Sequence, residues 1–142
     1  MSNNHLIEKA LQMAMDAHRG QVDKGGAPYI FHPIRVAMSV NSDTEKIVAL
    51  LHDTLEDTAL TRTEIRDAFG GAVLGAVENL TKIPEETYDE YIDRVCDNPF
   101  SKNVKMADLR DNMDIMRLST VTTEDVARIA KYRKYYDIIK EI

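Results

Sequence analysis

The chain reads as an all-α protein, and three features say so. Apolar residues recur at three- and four-residue spacing along most of its length. No stretch shows the two-residue alternation of a half-buried strand, and Ser or Thr followed three residues later by Glu marks helix starts. The connections between periodic segments are short, so the helices fold back on one another as one compact bundle, a single domain over residues 1–142.

The elements follow in order. Ile7, Ala10 and Leu11, Ala14, and Ala17 and His18 form the stripe of a first helix, which Gly20 can stop. A polar loop with Gly25 and Gly26 leads to Pro28 and to a helix start at His32-Pro33, where proline suits the first turn. Ser42 and Glu45 form a capping-box pattern ahead of the apolar run Ile47 to Leu51, and Thr61 and Glu64 repeat it before a helix ending at Phe69-Gly70. Gly71 to Thr81 reads as a short buried helix. Pro84 opens the next, with Tyr88, Tyr91, Ile92 and Val95 on one face, and Asn98-Pro99 breaks it. After Pro99, Met106, Leu109, Met113 and Met116 form a core stripe, while Val104, Asp108, Asn112 and Ile115 share another face. Val126, Ile129, Arg133, Tyr136 and Ile139 predict a C-terminal helix laid on the bundle.

Bulk composition narrows the function. A hydrophobic share of 44% is enough for one core, and a formal charge of −6 without any Lys/Arg run disfavours nucleic-acid polymers and anionic membranes as partners. A small anionic substrate remains compatible, because local cations and a metal ion outweigh net charge at short range. Cys96 is the only cysteine, so no intrachain disulfide forms, which fits a reducing, cytoplasmic setting. The N-terminus lacks a basic segment followed by an apolar one, and no apolar stretch is long enough to span a bilayer. Composition leaves the oligomeric state open.

The most informative segment is HDTLEDT. His52 and Asp53 can grip one ion from adjacent positions, and Glu56 and Asp57 follow about one helical turn later, placing His52 under Glu56 and Asp53 under Asp57. Three carboxylates so close repel one another unless a cation is present, and the apolar run directly before them argues against a solvated acidic helix end. His32 and Asp108, the latter with Asn112 one turn on, supply matching donors elsewhere. His32, His52, Asp53 and Asp108 together offer two nitrogens and two oxygens, a set suited to Mn²⁺, Fe²⁺ or Zn²⁺ rather than a Ca²⁺ cage. Beside such a site, one of Glu56 and Asp57 can orient a nucleophilic water while the other passes a proton to a leaving oxygen, since neighbouring carboxylates push one pKa upward.

Taken together, the segments AHRGQVDKGGAPYIFHP, LLHDTLEDT, ENLTK and VKMADLRDNM resemble the HD-domain phosphohydrolases, and most closely the hydrolase domain of the RelA/SpoT alarmone enzymes and their small stand-alone relatives. The resemblance implies an HD-domain helical bundle that removes pyrophosphate from the 3′ position of ppGpp or pppGpp with Mn²⁺. It matches His32, His52, Asp53 and Asp108 to metal ligands and Glu56 and Asp57 to the catalytic pair. It also matches Lys24 to a basic residue of the nucleotide-site loop, Asn112 to an amide near the nucleotide sugar, and Tyr29 to a packing residue. The implied partner is a small phosphorylated nucleotide.

The chain also departs from that family. Asp23 stands where the bifunctional enzymes carry an Arg that stacks on guanine, and Asp111 and Asp114 stand where they carry His and Arg. Acids at these positions are expected to repel phosphates, which keeps a different nucleotide or small phosphorylated metabolite open as substrate. His18 reads as structural, holding the loop after the first helix; Arg19 and Lys105 read as solvated cations; and Cys96 has no base motif beside it.

Overall fold

The structure, a computed structural model, describes residues 3–142; Met1 and Ser2, the head of the N-terminal stretch read above, lie outside the described residues. Nine helices are present among them: α1 (Asn4–Ala17), α2 (Phe31–Met38), α3 (Asp43–Leu51), α4 (Thr54–Asp57), α5 (Arg62–Phe69), α6 (Gly71–Asn79), α7 (Tyr88–Cys96), α8 (Pro99–Asn112) and α9 (Thr123–Glu141). The described residues contain no β-strand, only an isolated bridge between Val22 and Pro28 that closes the loop joining α1 to α2. None of the helices in this range is long and apolar enough to cross a membrane.

Helix α3 is the axis of the molecule. Ile47 through Leu51 are all buried, and only a helix covered on every side can hide such a run. It packs against α1, α2, α6 and α8. Ala10 and Ala14 of α1 have no exposed surface, and their small side chains let α1 approach α3 closely. Val36, Val77, Val95, Val104, Leu109 and Ile139 extend the same core through α2, α6, α7, α8 and α9. Both anticipated capping boxes form, at Ser42/Glu45 and Thr61/Glu64.

Three expectations require correction. Pro84 does not open a helix: α7 begins at Tyr88 behind a third capping box, in which Thr87 accepts the Glu90 N–H at 3.1 Å and Glu90 accepts the Thr87 N–H at 3.0 Å. Two satisfied amides outweigh the preset φ that proline alone contributes. Met116 is no core residue, being 87% exposed, because α8 stops at Asn112 and Asp114 then caps the Met116 N–H at 3.0 Å. In α9 the inward face carries Tyr132, Tyr135 and Ile139, whereas Val126 and Arg133 face solvent. Tyr135 decides this rotation, packing edge-on against Tyr88 at 4.4 Å and donating to Asp89 at 2.8 Å.

Candidate metal centre and active-site cleft

Helix α3 does not run on into α4. Leu51 is its last residue, and the chain turns through His52 and Asp53 before Thr54 restarts it. Side chains stabilise this break. The His52 Nδ1–H donates to the Ala49 carbonyl at 2.6 Å, and the Thr54 hydroxyl donates to the Leu51 carbonyl at 2.7 Å, so side chains satisfy two of the carbonyls at the helix end. The expected stacking of His52 under Glu56 is therefore lost. What the turn brings about instead is that His52 and Asp53 face the same point from opposite sides of a break.

Four donors meet at that point. His52 Nε2 lies 3.0 Å from Asp53 Oδ2 and 3.4 Å from Asp108 Oδ1; His32 Nε2 lies 2.9 Å from Asp108 Oδ1 and 3.9 Å from Asp53 Oδ2. Donors at right angles on an ion with bonds of about 2.1 Å sit about 3 Å apart, so these spacings suit one shared ion. The decisive observation is His52 Nε2 itself: fully buried, with its tautomer set by Ala49, it has no hydrogen-bond partner. A buried lone pair aimed at two carboxylates and unpaired within the protein fits a metal ion.

The surroundings hold these groups in place. The second oxygen of Asp108 accepts from the buried Lys105 ammonium at 2.9 Å, and Asn112 donates to its first at 3.1 Å. Lys105, expected as a solvated cation, is only 9% exposed and lies near the face of Tyr91. The Tyr29 hydroxyl donates to Asp53, and its ring sits between those of His18 and His32. His18 is tied to the loop after α1, its Nδ1 meeting Gln21 Oε1 at 2.7 Å and Gln21 donating to the Asp57 carbonyl at 3.0 Å, while its buried Nε2 has no hydrogen-bond partner.

Charge in the centre is redistributed accordingly. Burial opposes a proton on His32 and His52, but the carboxylates around them prevail, and both rings bind protons more tightly than a free imidazole. Burial would raise the Asp53 carboxyl, yet His52 holds it down to about 2, and Lys105 with the two histidines holds Asp108 well below the usual carboxylate range. Asp57 moves the other way, raised by burial and by the charges of Asp53 and Glu56.

Oxygens of Asp53, Glu56 and Asp57 all lie within 4.8 Å of one another, as do the donors of His32, His52 and Asp53. Asp53 thus joins the two groups. The Lys82 backbone N–H donates to Glu56 at 2.6 Å, tying α4 to the turn after α6. Two adjoining clefts open on this floor. One, of about 260 Å³, holds the acid cluster together with Lys82, Tyr88, Lys105 and Lys131. The other, of about 300 Å³, is bounded by Asp23, Lys24, Gly25, Arg35, Asp114, Arg117 and Arg128. Tyr29, His32, Asn112 and Tyr132 line both.

A family profile described as HD domain matches residues 10–110 of the 142. The chain belongs to the HD domain family. Hydrolases of this family are metal-dependent, in keeping with the donor set above. The HD domain is 39% identical over 119 residues to a guanosine-3′,5′-bis(diphosphate) 3′-pyrophosphohydrolase of Aquifex aeolicus, covering 75% of this chain and 17% of that one. It is 45% identical over 85 residues to a GTP pyrophosphokinase, rsh, of Brucella melitensis, covering 57% of this chain and 11% of that one. This chain therefore spans a small part of the length of these relatives. Its fold is shared with a metazoan ortholog of SpoT described as hydrolysing ppGpp, at a TM-score of 0.77 and 24% identity, over 98% of this chain and 87% of that one.

The HD domain brings His32, His52, Asp53, Asp108, Glu56, Asp57 and Asn112 to one cleft, and places Lys24 at the mouth of the neighbouring one. The three acids expected to repel phosphates are each engaged by donors. Asp23 accepts the N–H groups of Gly25 and Ala27 at 2.9 and 3.0 Å, shaping its own loop. Asp114 pairs with Arg117 at 3.1 Å, and Asp111 with Arg35 at 2.7 Å. The cleft lysines Lys82 and Lys131 and the aromatic Tyr88 escaped sequence reasoning. Lys82 lay within the ENLTK segment and could have been singled out; Lys131 carried no local signal, since α9 reaches the cleft only through tertiary packing.

Proposed function

We propose that this HD domain, residues 1–142 acting as one catalytic unit, hydrolyses the 3′-diphosphate of ppGpp or pppGpp in the cytoplasm, releasing pyrophosphate, with Mn²⁺ held by His32, His52, Asp53 and Asp108. The observation that carries this reading is the pair of clefts sharing Tyr29, His32, Asn112 and Tyr132. A nucleotide laid across that shared wall has its 3′-diphosphate over the carboxylates and its nucleoside beside the Lys24 loop. The similarity to the Aquifex pyrophosphohydrolase supports the same substrate. Fe²⁺ or Zn²⁺ would satisfy the same donors.

When bound, the ion polarises a phosphoryl oxygen and acidifies water. The protein's own groups supply the rest. Glu56, anchored by the Lys82 N–H, orients the attacking water and takes its proton. Asp57, whose proton affinity is raised by burial and by the charges of Asp53 and Glu56, gives a proton to the departing 3′ oxygen. Lys82 and Lys131 offset the charge of the diphosphate in the acidic cleft, Asn112 meets the sugar, and Lys24 meets the 5′ phosphates. The resulting balance is water plus ppGpp giving GDP plus pyrophosphate.

A second reading, a different nucleotide or small phosphorylated metabolite on the same centre, is favoured by one feature. Asp23 lines the nucleoside cleft at the position where the resembling enzymes stack an Arg on guanine. The test is metal-stripped protein supplied with Mn²⁺ and ppGpp, following GDP and pyrophosphate, with His52→Ala as control. Turnover requiring both Mn²⁺ and His52 supports alarmone hydrolysis. Absence of turnover with Mn²⁺ demonstrably bound overturns it and transfers the question to other nucleotides.

A further inference from the structure

We infer that Asp111 is a positioning residue for His32, holding the imidazole so that its Nε2 lone pair points at the ion site; this rests on the metal reading proposed above. Asp111 sits on α8, three residues after Asp108, with its side chain 11% exposed. Its Oδ2 lies 2.6 Å from His32 Nδ1. A neutral imidazole carries one N–H, and His32 has a carboxylate on each side: Asp111 at Nδ1 and Asp108 at Nε2. If the N–H sat on Nε2 and donated to Asp108, Nε2 would have no lone pair for an ion. With Asp111 accepting Nδ1–H, Nε2 is left free beside Asp108 and Asp53, the same arrangement that the Ala49 carbonyl imposes on His52.

The carboxylate is itself immobilised. Arg35, one turn after His32 on α2, donates Nε to Asp111 Oδ1 at 2.7 Å and Nη2 to Oδ2 at 3.1 Å. This two-pronged pairing fixes the plane of the carboxylate as well as its place. Arg117 approaches Oδ2 to 3.6 Å and donates to the Asp111 carbonyl at 3.2 Å. His32 and Arg35 on one helix and Asp108 and Asp111 on another therefore form a closed ring of contacts, with the ion site at one corner. Arg35 and Arg117 also line the nucleoside cleft, so the ring joins that cleft's wall to a metal donor.

A plain tie between α2 and α8 would show the same contacts, and the experiment must separate the two. Mn²⁺ dissociation constants are measured by calorimetric titration of the metal-stripped protein, for the parent and for Asp111→Asn, Asp111→Ala, Arg35→Met and His32→Ala, with the fold followed by circular dichroism. In parallel, ¹⁵N chemical shifts of the histidine rings in the metal-stripped protein, at a pH high enough to leave the His32 ring neutral, report its tautomer. Positioning predicts Mn²⁺ binding about 10- to 100-fold weaker in Asp111→Ala, an intermediate loss in Asp111→Asn, and a smaller one in Arg35→Met, which breaks the tie but keeps the carboxylate. It also predicts that the Nδ1–H form of His32 gives way to the Nε2–H form in Asp111→Ala. If Asp111→Ala does not fold, Asp111→Asn, alike in shape, decides. Binding within about twofold of the parent in the Asp111 variants, with His32→Ala impaired, overturns the positioning role alone. Parent-like binding in His32→Ala overturns the metal reading and this inference with it.

Discussion

Lys105 shows how much a single buried residue can carry. Its ammonium is one of the groups that make a charged Asp108 tolerable among apolar neighbours. Replacing Lys105 by Met leaves the carboxylate without that cation, and the metal-free protein is predicted to lose about 3 kcal/mol, read from urea unfolding. Added Mn²⁺ should restore part of the loss, since an ion beside Asp108 supplies charge of the same sign. Glu56→Gln and Asp57→Asn test the opposite kind of residue. Both positions are exposed, so stability and Mn²⁺ binding should hold while kcat falls by at least about 100-fold.

The two histidines give a pH signature. Their affinity for protons in the folded chain lies above the ordinary value of 6.5. In the metal-free protein the stabilisation from these protonated rings is fully present below pH 6.5 and is lost as the pH rises through the folded values. An ion takes the neutral rings and releases protons, so its binding runs the other way. Calorimetric melts from about pH 6 to about pH 8.5 should therefore show a falling Tm without metal and a growing Mn²⁺-induced rise. A Mn²⁺ effect that shrinks with rising pH would contradict the site.

At the scale of elements, the interruption between α3 and α4 matters most. A continuous helix would have stacked His52 on Glu56; the turn instead lets Asp53 serve both the histidine cluster and the carboxylate cluster. Sequence periodicity could not show this, because Ile47 to Leu51 before the break and Thr54 to Asp57 after it both keep a helical pattern. The cap of α7 has a comparable effect. Thr87 starts the helix whose first residue, Tyr88, lies beneath Lys131 at 4.4 Å and beside Lys82 at 5.5 Å. Thr87→Ala should cost about 1 kcal/mol in urea unfolding and should raise KM more than it lowers kcat, because the aromatic floor under those lysines loosens.

At the scale of the whole molecule, the cleft beside Lys24 and Arg117 depends on two loops far apart in sequence. A Cβ on Gly25 would stand 2.9 Å from the Arg117 carbonyl oxygen, so the loop after α1 and the loop after α8 touch backbone to backbone. Gly25→Ala is predicted to push them apart, raising KM for ppGpp several-fold, with a smaller loss of Mn²⁺ affinity passed on through the Arg117 contact with Asp111. An unchanged KM would show instead that this loop contact does not shape the cleft.

The candidate metal donors were legible in the sequence, because His, Asp and Glu at metal-ligand spacing stand out by type, and His32, His52, Asp53 and Asp108 do come together. The helices were legible too, through periodicity and the boxes at Ser42 and Thr61. Partnership was not. Asp111, read as a charge hostile to phosphate, is held by Arg35 and faces His32; Lys105, read as solvated, is buried against Asp108; Lys131 reaches the cleft from the last helix. Local pattern determines which segments become helices and which donors they offer. Whether a charge stands alone or paired depends on contacts between positions dozens of residues apart, and only the packing of α2, α8 and α9 around α3 decides those.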